Sequence, residues 1–199
     1  MIATVWMVGV VALGLIAGRF WPFAPFANVD TWVMGGLCAL LVLVGLQLGR
    51  SKTAWQTVRQ QGFYILLLPL AVLVGSIGGS VLAGLAISMS PIPAGAVGAG
   101  VGWYSLSATI ISAADAQLGV VAFLSNILRE IIAIVLVPLL SKTLGPWPAI
   151  STAGATAMDT VLPVIAHSAG SESAAVAFIS GVLLSLSVPL VVPVLLGFL

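Results

Sequence analysis

The sequence predicts an all-α polytopic membrane protein with five transmembrane helices plus two broken or re-entrant helical segments that form an inverted-topology repeat. Three observations predict it. Of 199 residues, 61% are hydrophobic and only 6% are charged, against about 25% charged in an ordinary soluble domain, so no soluble surface can be assembled. The apolar residues fall into runs long enough to cross a bilayer, which takes about 20 residues. Two further apolar stretches are interrupted by Gly, Pro, Ser and Thr, and they recur at a fixed distance along the chain.

The first run, "MIATVWMVGVVALGLIAG", lacks a basic n-region and a small-residue cleavage site, so it reads as a retained span at 2–18 and not as a signal peptide. "RFWPFAPFANVD" follows, and its four aromatics and two prolines suit a short loop at headgroup level. A second span is expected at 31–48. The next connection, "RSKTAWQTVRQQ", holds Arg50, Lys52 and Arg59, half of the six positive residues, and should be cytoplasmic. That places the N-terminus inside and, counting through the spans, the C-terminus outside. A third span at 62–87 completes an N-terminal portion, 1–90.

The remainder divides into repeat 1, 91–141, and repeat 2, 142–199. Each has a broken segment, 91–117 or 146–171, followed by a span, 118–141 or 173–198. "VVAFLSNILREIIAIVLVPLL" and "AVAFISGVLLSLSVPLVVPVLL" align at an offset of 55 residues with eight identities in 21 positions, and the same offset superposes the broken segments. A re-entrant hairpin plus a span crosses the membrane an odd number of times, so the second copy runs upside down, and such pairs hold substrate where their breaks meet. Gly98, Gly100, Gly102, Gly154 and Pro163 are the expected breaks or hinges. The repeats are expected to move against each other about the glycine-rich stretch 95–102. Irregular backbone at that depth requires surrounding protein or a wet cavity.

Arg129 and Glu130 occupy the centre of the fourth span, where an ionisable side chain costs roughly 2.5 to 3.5 kcal/mol on insertion scales and must face protein or water. They point about 100° apart on a helix and cannot easily pair with one another. Asn126, one turn before Glu130, widens this polar face. Glu130 reads as a cation or proton site, or as half of an internal ion pair. Arg129 reads as a substrate contact, as an orienter of Asp159, or as a cap on free carbonyls. Asp159, in the second broken segment, reads as a carboxylate for a cation or as the N-cap of the next half-helix. Asp115 and Glu172 fall at hairpin ends where carboxylates are solvated, and the lone His167 is at most a proton relay. One cysteine and one histidine exclude multi-cysteine and histidine-cluster metal sites, and no cofactor is expected. No basic block suggests nucleic acid. No nucleophile, base and metal constellation suggests an enzyme, so the functional class is a carrier of a small cationic or polar solute, with a partner-dependent channel-like subunit as the alternative.

Three blocks in order, "GVGWYSLSA", "LREIIAIVLVP" and "GATAMDTVLPV", resemble signature segments of LysO-type bacterial lysine exporters. The resemblance implies export of L-lysine and its toxic analogues across the cytoplasmic membrane. It implies that Glu130 is the intramembrane acid following arginine, that Met158 and Asp159 are the Met-Asp pair, and that Trp103, Tyr104 and Ser105 belong to the site. Some members carry Asn-Asp where this chain has Ser125 and Asn126. The chain matches about the C-terminal two-thirds of longer members, so the missing portion is expected from a separate small membrane protein or a second copy in a homodimer, unless the short form works alone.

Overall fold

The computed structural model describes residues 62–198 together with isolated helical positions before them, Leu13, Ile16, Arg19, Val42, Leu46, Arg50, Gln56 and Arg59. Apart from those positions, the spans expected at 2–18 and 31–48 and the basic connection that sets the orientation lie outside the described residues. The chain divides into two compact units, Met1–Leu43 and Val44–Leu199, and every helix from Leu67 onward belongs to the second.

A 3-10 turn, Gly62–Leu66, leads into helix α1, Leu67–Ala86. Ser88 then takes a left-handed φ of 61° in the turn to α2, Pro91–Gly98, whose prolines sit in the first turn where the missing N–H costs nothing. The backbone unwinds over 99–103 and rewinds as α3, Tyr104–Ser112. Asp115 starts α4, Ala116–Thr143, by accepting the N–H groups of Gln117 at 2.8 Å and Leu118 at 3.0 Å. The carboxylate expected only to be solvated is therefore also an N-cap. Next come α5, Pro146–Ala153, a 3-10 turn, Gly154–Met158, and α6, Leu162–Leu196.

Three helices, α1, α4 and α6, are long and apolar enough to cross a membrane, and the described residues contain no strand. Helix α4 overruns the expected span by two residues at each end. Helix α6 starts well before residue 173, because the second half of the broken segment runs into it through a bend at Gly170, with φ 86° and ψ 171°.

Helix α2 packs on α1, α3 and α5 on α4, and the second 3-10 turn on α6. Small side chains make this possible: Ala96, Ala99, Ala122, Ala153, Ala157 and Ala177 are completely buried. Lipid tails are as apolar as leucine, so close backbone approach between small residues, and not expulsion of water, is what holds such helices together. Many large residues face outward, Leu82 and Leu190 with about 70% of their surface free, while Ile111, Ile150, Leu162, Ile165 and Leu184 are buried.

Candidate functional site

The site begins with two interruptions of helix. In the first, Val101 and Gly102 adopt positive φ, 41° and 105°; in the second, Gly154 does so at 63°. The two meet directly, since the Ala155 N–H donates to the Val101 carbonyl at 2.8 Å. Each interruption also leaves carbonyls at the C-terminal end of a short helix without an intrahelical partner, a costly arrangement away from water.

Side chains from α4 and α1 supply the partners. Asn126, 4% exposed, accepts the Gly102 N–H at 2.6 Å and donates to the carbonyls of Ala122 at 2.8 Å and Val97 at 3.4 Å. Arg129 lies nearly one turn further along. Its Nε donates to the Thr152 carbonyl and its Nη2 to the Ser151 carbonyl, both at 3.2 Å, while Nη1 donates to Ser76 Oγ at 2.8 Å. Ser76 in turn donates to the Gly98 carbonyl at 2.7 Å. The guanidinium thus stands between the C-terminal ends of α2 and α5, each carrying roughly half a negative charge. That is how a positive charge is accommodated in the middle of an apolar helix.

Glu130 points to a different side of α4 and meets the second break. Its partly buried carboxylate lies within hydrogen-bonding reach of the Thr160 hydroxyl and within electrostatic reach of Asp159. Asp159 follows the 3-10 turn, and its Oδ1 accepts the Thr160 N–H at 2.6 Å and the Thr160 hydroxyl at 3.3 Å. The N-cap of α6 is Val161, so Asp159 is not that cap. Tyr104 opens α3 with its ring edge-on to Phe123, centroids 5.5 Å apart, and both carboxylates lie within its electrostatic reach. Two carboxylates, a hydroxyl and a phenol so arranged can share an ammonium group through charge-assisted hydrogen bonds.

The residues singled out in the sequence therefore separate into two groups. Glu130 and Asp159 lie within electrostatic reach of one another and of Tyr104, whereas Asn126 and Arg129 engage the broken backbone. Trp103 keeps 36% of its surface exposed and offers its carbonyl to the Ser107 hydroxyl at 2.7 Å; Ser105, also exposed, accepts the Thr109 hydroxyl at its backbone carbonyl at 2.7 Å. Gly98 ends α2, and Gly100 lies so close to α4 that a Cβ there would be 2.6 Å from Asn126 Nδ2. Pro163 sits in the first turn of α6, opening that helix and not breaking it. His167 is exposed. Among the described residues no three His, Cys, Asp or Glu side chains gather as a metal site.

Three participants were not apparent from the sequence. Thr160 could have been suspected as the hydroxyl beside Asp159. Ser76 lies in "GSIGGS", a small and polar run inside an apolar helix, which is the available signal for close packing. Gly181 packs against the second break, where a Cβ would come 2.6 Å from Met158 N and 2.9 Å from the Ala155 carbonyl.

Described residues that are helical without a strand, with three helices of bilayer length and charged side chains at two facing helix breaks, have the build of a multi-pass membrane protein. More particularly, the chain belongs to the lysine exporter LysO family, whose sequence profile matches residues 8–196. It is 32% identical over 183 residues to "Lysine exporter LysO" of Escherichia coli K12, an alignment covering 91% of this chain and 58% of that protein. It is 34% identical over 158 residues to "Putative lysine exporter" of Haemophilus influenzae, covering 77% of this chain and 78% of that protein. No solved structure matches the chain.

Proposed function

We propose that this chain exports L-lysine and lysine analogues across the cytoplasmic membrane, with Glu130 and Asp159 receiving an ammonium group beside the helix breaks. The observation that carries this reading is the gathering of two partly buried carboxylates, one from α4 and one from the second break, around Thr160 and Tyr104. Lysine brings two ammonium groups and one carboxylate. The acids suit an ammonium, and backbone N–H groups where helix resumes after a break suit the carboxylate. Arg129 and Asn126 serve by holding the breaks, while Trp103 and Ser105 flank Tyr104 on the approach. A carboxylate that releases an ammonium can take a proton, so the coupling ion in this reading is the proton, in antiport.

The architecture that goes with this function is three N-terminal spans in 1–90 followed by two inverted repeats, 91–141 and 142–199. Helix boundaries support the repeat: a shift of 55 residues carries Pro91 onto Pro146 and Gly98 onto Ala153, the first and last residues of α2 and α5. It also carries Asp115, at the turn before α4, onto Gly170, at the bend of α6. In this arrangement the broken segments are re-entrant, the N-terminus is cytoplasmic and the C-terminus outside.

The deciding experiment is efflux of labelled L-lysine from preloaded proteoliposomes containing only this chain, beside Glu130→Gln. Efflux that the variant loses by tenfold or more supports the reading and shows that the chain suffices without a second subunit. Efflux undiminished in Glu130→Gln removes the carboxylate from the mechanism. Unchanged efflux after collapse of the proton gradient removes proton antiport.

A further inference from the structure

The carbonyls of Ser151 and Thr152 end one short helix and accept from Arg129, while the carbonyl of Gly98, which ends another and already takes the Val101 N–H at 3.2 Å, also accepts the Ser76 hydroxyl that Arg129 binds. The chain of donors runs from Arg129 Nε and Nη2 to the α5 carbonyls, from Nη1 to Ser76 Oγ, and from the Ser76 hydroxyl to Gly98. A hydroxyl can donate and accept at once, and here that property turns two separate helix caps into one linkage. The packing around it is tight. A Cβ on Gly98 would run into the Ser80 hydroxyl and come 2.6 Å from the Ser76 carbonyl; one on Gly154 would run into the Val101 carbonyl and come 2.9 Å from Arg129 Nη2. Helices α1, α2, α4 and α5 therefore converge on the guanidinium, next to the Ala155 to Val101 hydrogen bond that joins the two breaks.

We infer that Ser76 is a positioning residue for transport: acting through Arg129, it fastens the end of α2 to the end of α5 and keeps the two helix breaks in register. Ser76 touches neither carboxylate of the proposed site in this role. Its effect reaches them because Glu130 is adjacent to Arg129 and Asp159 lies in the break that Arg129 holds. The transport arm of the following test rests on the lysine-export reading; the exchange arm does not.

Ser76→Ala removes the link without adding bulk, and Ser76→Thr restores a hydroxyl. Hydrogen exchange measured on the 151–158 segment should be at least tenfold faster in Ser76→Ala, with the middle of α4 unchanged. Maximal lysine efflux should fall about tenfold while the half-saturating concentration stays within twofold, and Ser76→Thr should recover both toward wild type. In a Ser76→Ala, Arg129→Gln double variant the serine change should add nothing further to exchange at 151–158, because the arginine that relays its effect to that segment is already gone. Exchange unchanged at 151–158, or raised equally throughout α1 and α4, would overturn the inference, the second outcome marking a merely structural serine. Faster exchange with undiminished maximal efflux would overturn its part in transport. If the wild-type chain exports no lysine, the export reading falls and the exchange result still decides for or against Ser76.

Discussion

Unwound backbone in a packed interior presents N–H and C=O groups that need partners, and buried Asn126 meets such groups on both sides of the first break with one amide. Asn126→Ala strands the Gly102 N–H, which should cost about 1–3 kcal/mol for a buried unsatisfied donor and lower the thermal unfolding midpoint in detergent. An unaltered midpoint would mean that the break finds another acceptor. Gly181 makes the opposite demand, for empty space. Gly181→Ala would press a methyl onto Met158 N and the Ala155 carbonyl, and since backbone yields little, overpacking by about 1–3 kcal/mol is expected. The same midpoint measurement checks it. Asn126 was legible in the sequence because an amide in the middle of an apolar run must have a reason to be there. Gly181 was not, because a glycine among valines and leucines looks the same whether it faces lipid or a neighbouring backbone.

A single glycine also decides the shape of α6. At φ 86° and ψ 171°, Gly170 occupies a region that side chains avoid, yet nothing lies within 4 Å of a Cβ placed there. The cost of Gly170→Ala is therefore purely conformational, about 1–3 kcal/mol. Gly75 provides the contrast: it lies inside α1 with equally open surroundings, and Gly75→Ala should be neutral or stabilising by up to about 1 kcal/mol. Thermal midpoints that fall for the first variant and hold or rise for the second would establish that the bend is locked by backbone geometry. Equal effects would show that Gly170 can adopt ordinary helix. The sequence marked 146–171 as broken, since "STAGATAMDTVLPVIAHSAG" is too rich in small residues for a plain span, but it pointed to Gly154 and Pro163 as the breaks and not to Gly170. How the break is made was not legible. At two positions 55 residues apart the chain uses a side-chain cap, Asp115, and a glycine bend, Gly170, and the spacing alone does not distinguish them.

At the scale of the whole molecule, hydropathy reveals the long helices α1 and α4 almost to their ends, because length and apolar composition are local properties. It could not reveal that α5 ends on Arg129 and α2 on the serine that Arg129 binds, because that meeting is set by carbonyls that every sequence possesses. The meeting bears on how the protein moves. Rocking of 91–141 against 142–199 about 95–102 would have to break the Ala155 to Val101 bond and the Arg129 linkage in every cycle. If the breaks instead travel together, these bonds survive and the moving boundary lies elsewhere. Backbones joined by such a hydrogen bond stand about 5 Å apart, inside the Cα range of a disulfide, so Val101→Cys with Ala155→Cys can be cross-linked after Cys38→Ala removes the single native thiol. Lysine efflux by the oxidised protein should match that of the same protein after reduction. Efflux that vanishes on oxidation and returns on reduction would instead establish that the breaks separate during transport, and the Arg129 linkage would then be a latch released in each cycle.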